Sequence, residues 1–280
     1  MAEPLIRDVS DTARWVAVYR ARESDRPDAV FRDPYARRLA GERGEQIANA
    51  LPFGQQNAWS WTARTYLVDR LVAAHAAAGG DLVVNLAAGL DARPYRMELP
   101  KSLRWVEVDL PQMIEYKTQI LAGETPHCQL DRVALDLADV AARRTLFERL
   151  GRSASNVLVV SEGLLIYLSR AEVEALAHDL GAQPSFRRWA IDICSPGLLT
   201  MMHKRTGDVV ERAAPFRFAP AEGPAFFTPL GWSPREVHSL LKAGAALKRL
   251  PLWMKLLALL PDPKQPVGSR PWSAVCLLAR

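Results

Sequence analysis

Short apolar runs alternate with mixed polar and apolar stretches through the middle of the chain, between residues 81 and 194. The first run, residues 81–86, has apolar residues at the consecutive positions 82–84 and again at 86, rather than at every second position, which is typical of a strand buried on both faces of a parallel sheet. Helix signals fill the intervals, among them Pro111 at a first turn and the capping box of Ser169 with Glu172. The pattern predicts a βαβ series with strands at residues 81–86, 103–109, 132–135, 157–160 and 188–194, and a last strand at 274–278.

The beginning of the chain shows helical patterning but too little apolar area for a core of its own. We expect helices over residues 12–23 and 35–39, and a long third helix that starts at residue 59. We therefore interpret residues 1–60 as a helical lid over the ligand edge of a domain that spans residues 61–280. Loops are expected at the helix breakers Gly41, Gly44, Pro52 and Gly54.

After residue 194 the alternation stops. Residues 195–232 are predicted to be rich in loops, with aromatic and methionine side chains among prolines and glycines. This segment is either an insertion that forms an acceptor pocket or a set of apolar residues packed beneath a long excursion. A capped helix is expected over residues 233–244. The apolar run at 252–260 is short, so we interpret it as a helix packed on the core rather than as a membrane or partner face.

Composition narrows the class of protein. A chain of 280 residues that is 49% hydrophobic fits one large α/β domain with additions. Its net charge of +5 comes from scattered arginines without interleaved aromatics, which disfavours nucleic-acid binding. Three distant cysteines indicate neither a disulfide framework nor a zinc site. Acids stand where a signal peptide would need an apolar core, so we expect a cytoplasmic enzyme with no metal and no membrane partner.

Acidic residues and glycines stand where the predicted strands end. Gly89 follows the first strand, and Asp109 ends the second about twenty residues later, as in sheets that hold a nucleoside with its ribose on a carboxylate. The loop has one glycine where a dinucleotide needs three, and Asp91 would repel a diphosphate. S-adenosylmethionine carries a sulfonium and an ammonium and no phosphate, so it suits an acidic loop. The alternative is that Gly89 is only a turn and Asp91 only a cap.

Six motifs follow one another along the chain: RARESDRPDAVFRDPYA (20–36), TARTYL (62–67), VVNLAAGLDARPYRM (83–97), WVEVDLP (105–111), LDL (135–137) and SEGLLIYL (161–168). In this order they resemble the leucine carboxyl methyltransferase family, whose members are class I S-adenosylmethionine-dependent O-methyltransferases. The resemblance implies a doubly wound, mostly parallel seven-stranded sheet of the Rossmann-like methyltransferase type. The last third of the chain matches the family only in Gly231-Trp232 and the final strand.

The same resemblance implies a cofactor site. One departure from the family is Ala88, where many members have glycine, and we do not expect its methyl group to abolish binding. The implied roles are these: Arg64 binds the cofactor's carboxylate, Gly89 lets the methionine moiety lie against the backbone, Asp91 is the acid of the loop, Asp109 holds the ribose hydroxyls, Asp136 reads the adenine amine, Leu137 packs on the adenine ring, and Glu162 faces the methionine ammonium.

The resemblance also implies acceptor-side residues, with Tyr167 and a basic residue, Arg20 or Arg22, close to the methyl acceptor. A carboxylate acceptor is ionised at neutral pH and needs no general base, whereas a hydroxyl would need one. His203 is the only histidine in the variable segment, and it is the base we expect if the acceptor is a hydroxyl.

Several functions remain open from the sequence. We predict S-adenosylmethionine-dependent O-methylation of a carboxylate, or of a hydroxyl, on a small hydrophobic molecule such as a polyketide-type product of secondary metabolism. The alternatives are a protein C-terminal carboxyl methyltransferase and a non-catalytic nucleoside-binding regulator of the same fold. The sequence identifies neither the acceptor nor the oligomeric state.

Overall fold

The computed structural model describes residues 6, 9–211, 214–263 and 267–280. Its strands form one sheet in the order β3-β2-β1-β4-β5-β7-β6. The first five strands are parallel, and β7 runs antiparallel to both β5 and β6. This confirms the doubly wound, mostly parallel seven-stranded sheet. The strands are β1 Leu82–Leu86, β2 Arg104–Asp109, β3 Gln129–Ala134, β4 Val157–Ser161, β5 Phe186–Cys194, β6 Ser233–Ser239 and β7 Ser273–Ala279.

Helices cover both faces of the sheet. Central strands β1 and β4 are buried at every position, in agreement with their continuous apolar runs. The capping box of Ser169 and Glu172 opens a helix as predicted. The helices are α1 Val9–Ser24, α2 Ala36–Ala50, α3 Pro52–Ala77, α4 Arg93–Arg96, α5 Pro111–Ile120, α6 Val140–Arg152, α7 Arg170–Gly181, α8 Pro196–Glu211, α9 Leu240–Ala246 and α10 Leu252–Ala258, with 3₁₀ segments at Leu165–Tyr167 and Gly223–Leu230.

The loops expected near residues 41–54 are wrong. Gly41 takes a φ of +62° and kinks α2 without ending it. Gly44 lies against α1, where an added Cβ would come within 3.0 Å of the Arg14 carbonyl oxygen. Pro52 stands in the first turn of α3, where its missing N–H costs nothing, so this helix begins seven residues earlier than expected.

The predicted helix over residues 233–244 is also wrong. Residues 233–239 form β6, an edge strand with a register shift between Pro234 and Glu236. Proline is tolerated at such an edge because it removes no ladder hydrogen bond that the sheet needs. The helix that follows, α9, is capped by Ser239, whose side chain accepts a hydrogen bond from the Lys242 N–H.

The segment 195–232 has more helix than expected, because α8 occupies its first half; residues 212 and 213 lie outside the described residues. The run at 252–260 forms α10, but none of that helix's residues is buried, so its interpretation as a core-packing helix is wrong. Along the described ranges, no helix combines the length and hydropathy required to cross a bilayer.

The N-terminal helices pack over the carboxyl ends of β1 and β2. Residues of α1 and α2 share a buried apolar cluster with Leu90 and Ala92, which follow β1, and with Met113, which follows β2. They are also tied to the C-terminal part of the chain. The Arg249 guanidinium donates to both carboxylate oxygens of Glu23, at 2.8 and 2.9 Å, and both side chains are buried. The lid interpretation of residues 1–60 remains a prediction, and positions 1–5, 7 and 8 lie outside the described residues.

Candidate active site

A cavity of about 1380 Å³ lies at the carboxyl ends of β1, β2, β4 and β5. Helices α1 and α3 close one side of it, and α8 and α10 contribute to the other. Its floor at the sheet edge is polar and its outer walls are aromatic and aliphatic. The acidic residues among its described lining at the sheet edge are Asp91, Asp109, Glu162 and Asp192.

The loop after β1 is held in place by the acid that ends β2. Asp109 accepts the Gly89 N–H at 2.6 Å through Oδ2 and the Leu110 N–H at 2.7 Å through Oδ1. Gly89 has a φ of +48°, a conformation that favours glycine. Burial raises the pKa of Asp109, and the two N–H donors oppose that rise. A carboxylate oxygen has two acceptor sites, so each oxygen of Asp109 can still accept a hydrogen bond from a ligand hydroxyl.

Arg64 joins the ends of β4 and β5. Its Nε donates to Glu162 Oε1 at 3.0 Å, and its Nη1 donates to Asp192 Oδ2 at 3.1 Å. Asp192 also accepts the Gly163 N–H at 2.6 Å. Burial opposes the charged form of Arg64, but the two carboxylates raise its pKa above the ordinary value. Its Nη2 forms no hydrogen bond within the described part of the chain, which leaves one donor edge for a ligand carboxylate.

A second arginine, Arg93, lies beneath the loop and is almost wholly buried. Its guanidinium contacts three carboxylates: Asp69 at 2.7 Å, Asp91 at 2.9 Å and Glu162 at 2.8 Å. Burial would raise the pKa of Glu162, but Arg93 and Arg64 together lower it below the usual range. Both acids that face the cavity beside this arginine are therefore ionised at neutral pH.

Four acids of this edge share two arginines, because the other two arginines of the described lining here, Arg20 and Arg96, are paired with Asp33 and Asp69. Asp91, Asp109, Glu162 and Asp192 meet only Arg64 and Arg93 in direct contact. The surplus negative charge suits a cationic ligand that also carries hydroxyl groups. Loop position 88 is a small residue, as is Gly89, so the backbone stays open to close approach.

The pKa of Asp91 should make the fold sensitive to acid. Burial would raise this pKa, but Arg93, Lys117 and Arg96 lower it to about 2. Because the unfolded value is near 4, the ionised carboxylate contributes stability above that pH, and the contribution is lost as pH falls toward 2. The difference in free energy of unfolding between the natural protein and Asp91→Asn should therefore shrink by about 2 kcal/mol between about pH 5 and pH 2. Urea titrations at several pH values measure it, and a constant difference would contradict the assignment.

The predicted acceptor-side residues divide into two groups. Tyr167 and Arg20 line the cavity. The Tyr167 hydroxyl lies 3.3 Å from Thr12 Oγ1, and burial raises the pKa of this phenol, so it is protonated at neutral pH. Arg20 donates to Asp33 at 2.9 Å and to the Leu90 carbonyl at 2.5 Å, so its charge is already paired.

Arg22 and His203 lie elsewhere. Arg22 pairs with Glu45 at 3.0 Å on the outer side of α1 and is absent from the described lining of the cavity. His203 stacks on the Phe216 ring and places Nε2 3.1 Å from the Phe216 carbonyl oxygen. Its ring is likewise outside that lining, so its role as a base remains a prediction.

The predicted adenine contacts also lie outside the described lining. Asp136 is exposed, and its Oδ1 accepts the Ala138 N–H at 2.9 Å. Leu137 is half-buried and packs against the main core cluster. The structure therefore brings together Arg64, Gly89, Asp91, Asp109 and Glu162 with Tyr167 and Arg20, but not Asp136 and Leu137.

Two site residues escaped the sequence analysis. Asp192 is the single acid within strand β5 and lies near its carboxyl end. Acids at or just after the ends of strands two to four were used to predict the site, and the same signal could have identified Asp192. Arg93 was quoted within a motif, but its role depends on Asp69, which lies on α3, and no local pattern links the two.

The segment 195–232 divides between cavity and core. Phe216 and Phe218 line the cavity together with Met201 and Met202 of α8. Phe227 and Trp232 instead pack edge-on against Trp189 of β5, in the main core. Trp59 and Trp61 of α3 also belong to the aromatic part of the cavity wall.

Comparison with known proteins gives one family match and several relatives. The profile of the leucine carboxyl methyltransferase family matches residues 13–181. A predicted S-adenosyl-L-methionine-dependent methyltransferase from Mycobacterium sp. (strain KMS) is 38% identical over 201 residues, which cover 65% of the chain and 66% of that protein. A second, from Parafrankia sp. (strain EAN1pec), is 30% identical over 285 residues, which cover 93% of the chain and 88% of that protein. The chain thus spans about two thirds of the length of the mycobacterial relative.

Two solved structures share the architecture. A DUF574 family protein from Streptomyces avermitilis superposes with a TM-score of 0.56 at 17% identity, covering 93% of this chain and 95% of the other. A predicted methyltransferase from Thermobifida fusca gives a TM-score of 0.58 at 16% identity, with 92% and 96% covered. At these identities the likeness establishes the fold alone.

Proposed function

Because the chain belongs to the leucine carboxyl methyltransferase family, we propose that it is an S-adenosylmethionine-dependent O-methyltransferase acting on a small hydrophobic molecule. The reacting group is a carboxylate, with a hydroxyl as the less favoured choice. The observation that carries the proposal is the composition of the cavity. Its floor holds acidic residues with the paired Arg64, and its outer wall is aromatic. A polyketide-type acceptor, a place in secondary metabolism and a cytoplasmic location belong to the same proposal.

The residues at the sheet edge fit the cofactor. Asp109 offers acceptor sites to the ribose hydroxyls, and the free edge of Arg64 offers a donor to the carboxylate. Glu162 and Asp192 supply negative charge beside that arginine for the ammonium. The predicted S-adenosylmethionine dependence of the relatives supports the same cofactor.

The bound cofactor supplies an electrophilic methyl group on a sulfonium. The protein's own contribution is to align the acceptor oxygen with that methyl group and to exclude water. Paired carboxylates hold Arg64 and Arg93 in one orientation, so the binding edge needs little reorganisation when ligands enter. In the proposed reaction the Tyr167 hydroxyl, which is protonated at neutral pH, donates a hydrogen bond to the acceptor in place of its 3.3 Å contact with Thr12.

A carboxylate acceptor is supported by the residues that the cavity contains. Its described lining includes no histidine, its one cysteine, Cys194, has a pKa that burial raises to about 12, and its carboxylates Glu162 and Asp192 are both paired with Arg64. A neutral phenol or alcohol would need a group that removes its proton, whereas a carboxylate needs only a hydrogen-bonding clamp. The Tyr167–Thr12 hydroxyl pair provides such a clamp.

Removal of the ribose-binding acid should weaken the cofactor. We expect Asp109→Ala to bind S-adenosylhomocysteine about 1–3 kcal/mol more weakly, because the change deletes a charged hydrogen-bond acceptor. Isothermal calorimetry measures this, with Asp81→Ala as the matched control, because Asp81 also accepts two backbone N–H groups, from Ser155 and Asn156, but lies at the amino end of β1. Undiminished affinity in Asp109→Ala would remove this residue from the site.

The acceptor class has its own test. With a carboxylate acceptor, which titrates near pH 4, turnover at saturating cofactor should be nearly constant between about pH 6 and 8.5. Tyr167→Phe should then raise the KM for the acceptor more than it weakens the cofactor. A methyl ester product is cleaved by mild alkali and an aryl methyl ether is not. An alkali-stable product, with a rate that rises about tenfold per pH unit, would replace the carboxylate by a hydroxyl and favour His203 as the base.

Two alternatives are distinguishable from this proposal. A protein C-terminal carboxyl methyltransferase would label protein from a cell extract rather than small molecules. A nucleoside-binding regulator of the same fold would bind S-adenosylhomocysteine without turnover over a panel of acceptors. The aromatic cavity wall favours a small hydrophobic acceptor over both.

A further inference from the structure

Helix α10 exposes an unusual amount of apolar surface. Six of the eight large apolar side chains exposed on the described part of the chain fall within residues 252–260. Leu252 and Leu259 are each 81% exposed, and Leu256 is 71% exposed. Their spacing of four and three residues puts them on one face of the helix. An apolar face of this kind on a folded protein indicates an interaction site.

The neighbouring face of the same helix forms part of the cavity wall. Trp253 and Leu257 are exposed and also line the cavity, followed by Leu260. The outer face and the cavity mouth are therefore continuous. A surface that covers Leu252, Leu256 and Leu259 would also lie at the entrance of the cavity.

The charge around this face is mainly positive, and the one acid within residues 237–263, Asp262, is paired with Lys242 at 3.0 Å. Residues 237–261 contain no acid. Lys255 stands on the outer face between Leu252 and Leu259, and Lys248 lies just before α10; both are exposed. Arg205 and Arg270 are exposed at the same cavity mouth. None of these four cations forms an ion pair with a described residue, so their charge is available to a partner.

We propose that the face of Leu252, Leu256 and Leu259, with its surrounding cations, docks on an anionic lipid surface. Leucines and a tryptophan beside lysines are the composition of helices that lie in a membrane interface, with the apolar side among acyl chains and the cations at the headgroups. A second copy of the chain fits less well, because a two-fold contact would place Lys255 and its cationic neighbours near their own counterparts. This proposal departs from the prediction that the chain has no membrane partner.

Docking would direct the cavity mouth toward the lipid. Together with the proposed function, on which this step rests, it identifies the acceptor as a molecule that partitions into lipid and enters the cavity past Trp253 and Leu257. Flotation with vesicles tests the docking, and calorimetry with S-adenosylhomocysteine tests the proposed function. Neither measurement depends on the other.

The experiment is vesicle flotation with the full chain. Vesicles of phosphatidylcholine and phosphatidylglycerol in equal parts should carry the protein upward, and vesicles of phosphatidylcholine alone should carry much less. The combined variant Leu252→Gln, Leu256→Gln and Leu259→Gln changes none of the cavity-lining residues and should bind the anionic vesicles more than about tenfold more weakly. Lys255→Glu alone should weaken binding about fivefold or more, and added salt should weaken it further.

The matched control replaces two exposed valines away from α10, in the variant Val140→Gln and Val237→Gln. It should float as the natural protein does, and all variants should keep their affinity for S-adenosylhomocysteine. Absence of flotation, or flotation that the triple leucine variant leaves unchanged, would overturn the proposal. Self-association in sedimentation velocity that the same variant abolishes, without vesicle binding, would replace the lipid surface by a second copy of the chain.

Discussion

A protein in which Arg93 is replaced by methionine should be about 3–5 kcal/mol less stable than the natural sequence. Methionine preserves the length of the side chain but removes the charge that Asp69, Asp91 and Glu162 share. Those carboxylates would then be left in a buried place with fewer donors, which costs more than the loss of an exposed ion pair. Urea denaturation followed by circular dichroism measures the change.

The control for Arg93→Met is Arg152→Met, which makes the same chemical change in an exposed pair with Glu148 on one helix. Exposed pairs of this kind contribute little, so this variant should unfold at nearly the natural urea concentration. Equal midpoints for both variants would mean that the carboxylates beneath the loop relax into water, and that Arg93 does not organise the site.

The second large effect is expected where the N-terminal helices meet the C-terminal part of the chain. Arg249→Met leaves the buried carboxylate of Glu23 without its bidentate hydrogen-bond donor. The free energy of unfolding should fall by about 3 kcal/mol, near the low end for breaking a buried pair. Asp28 also pairs with Arg249 but is exposed to solvent, so the loss of this second pair should change the stability little. Hydrogen exchange of residues 20–35 should become faster in this variant than elsewhere in the chain, because their attachment is lost.

A double variant separates the lost attraction from the unpaired charge. Glu23→Leu combined with Arg249→Met removes both charges and should recover much of the stability, which a merely steric role of Arg249 would not allow. Cofactor should also slow exchange of residues 20–35 in the natural protein if residues 1–60 act as a lid. Equal exchange with and without cofactor would argue for a static role of those helices.

The sheet was predictable because its signal is local. Strands β1 and β4 are apolar at all but one position each and buried at every position, and the turn and capping residues between them act within a few residues of chain. The acids at the strand ends were predictable for the same reason, since parallel strands bring their carboxyl ends to one edge. Asp109 and Glu162 lie there as the topology requires.

The features that the sequence did not predict depend on contacts between residues far apart in the chain. Asp69 is an unremarkable acid on α3 until the fold brings it within 2.7 Å of Arg93. A helix with the sequence of α10 fits a core or a surface equally well, and only the absence of an opposing element in the described structure distinguishes them. Likewise, Ser233 begins a strand because β7 offers an edge, which overrides its capping signal.

The antiparallel pairing at the end of the sheet governs the order in which the molecule can assemble. Strand β6 pairs with β7 alone, although α9 and α10 separate the two along the chain. During synthesis, β6 leaves the ribosome with no neighbour, and β5 keeps a bare edge that carries Trp189 and Ile191 until residues 273–279 emerge. An uncovered apolar edge is the surface through which partly made chains aggregate. A substitution that weakens the pairing of β7 should therefore lower the yield of folded protein by more than its effect on the stability of the folded state would predict.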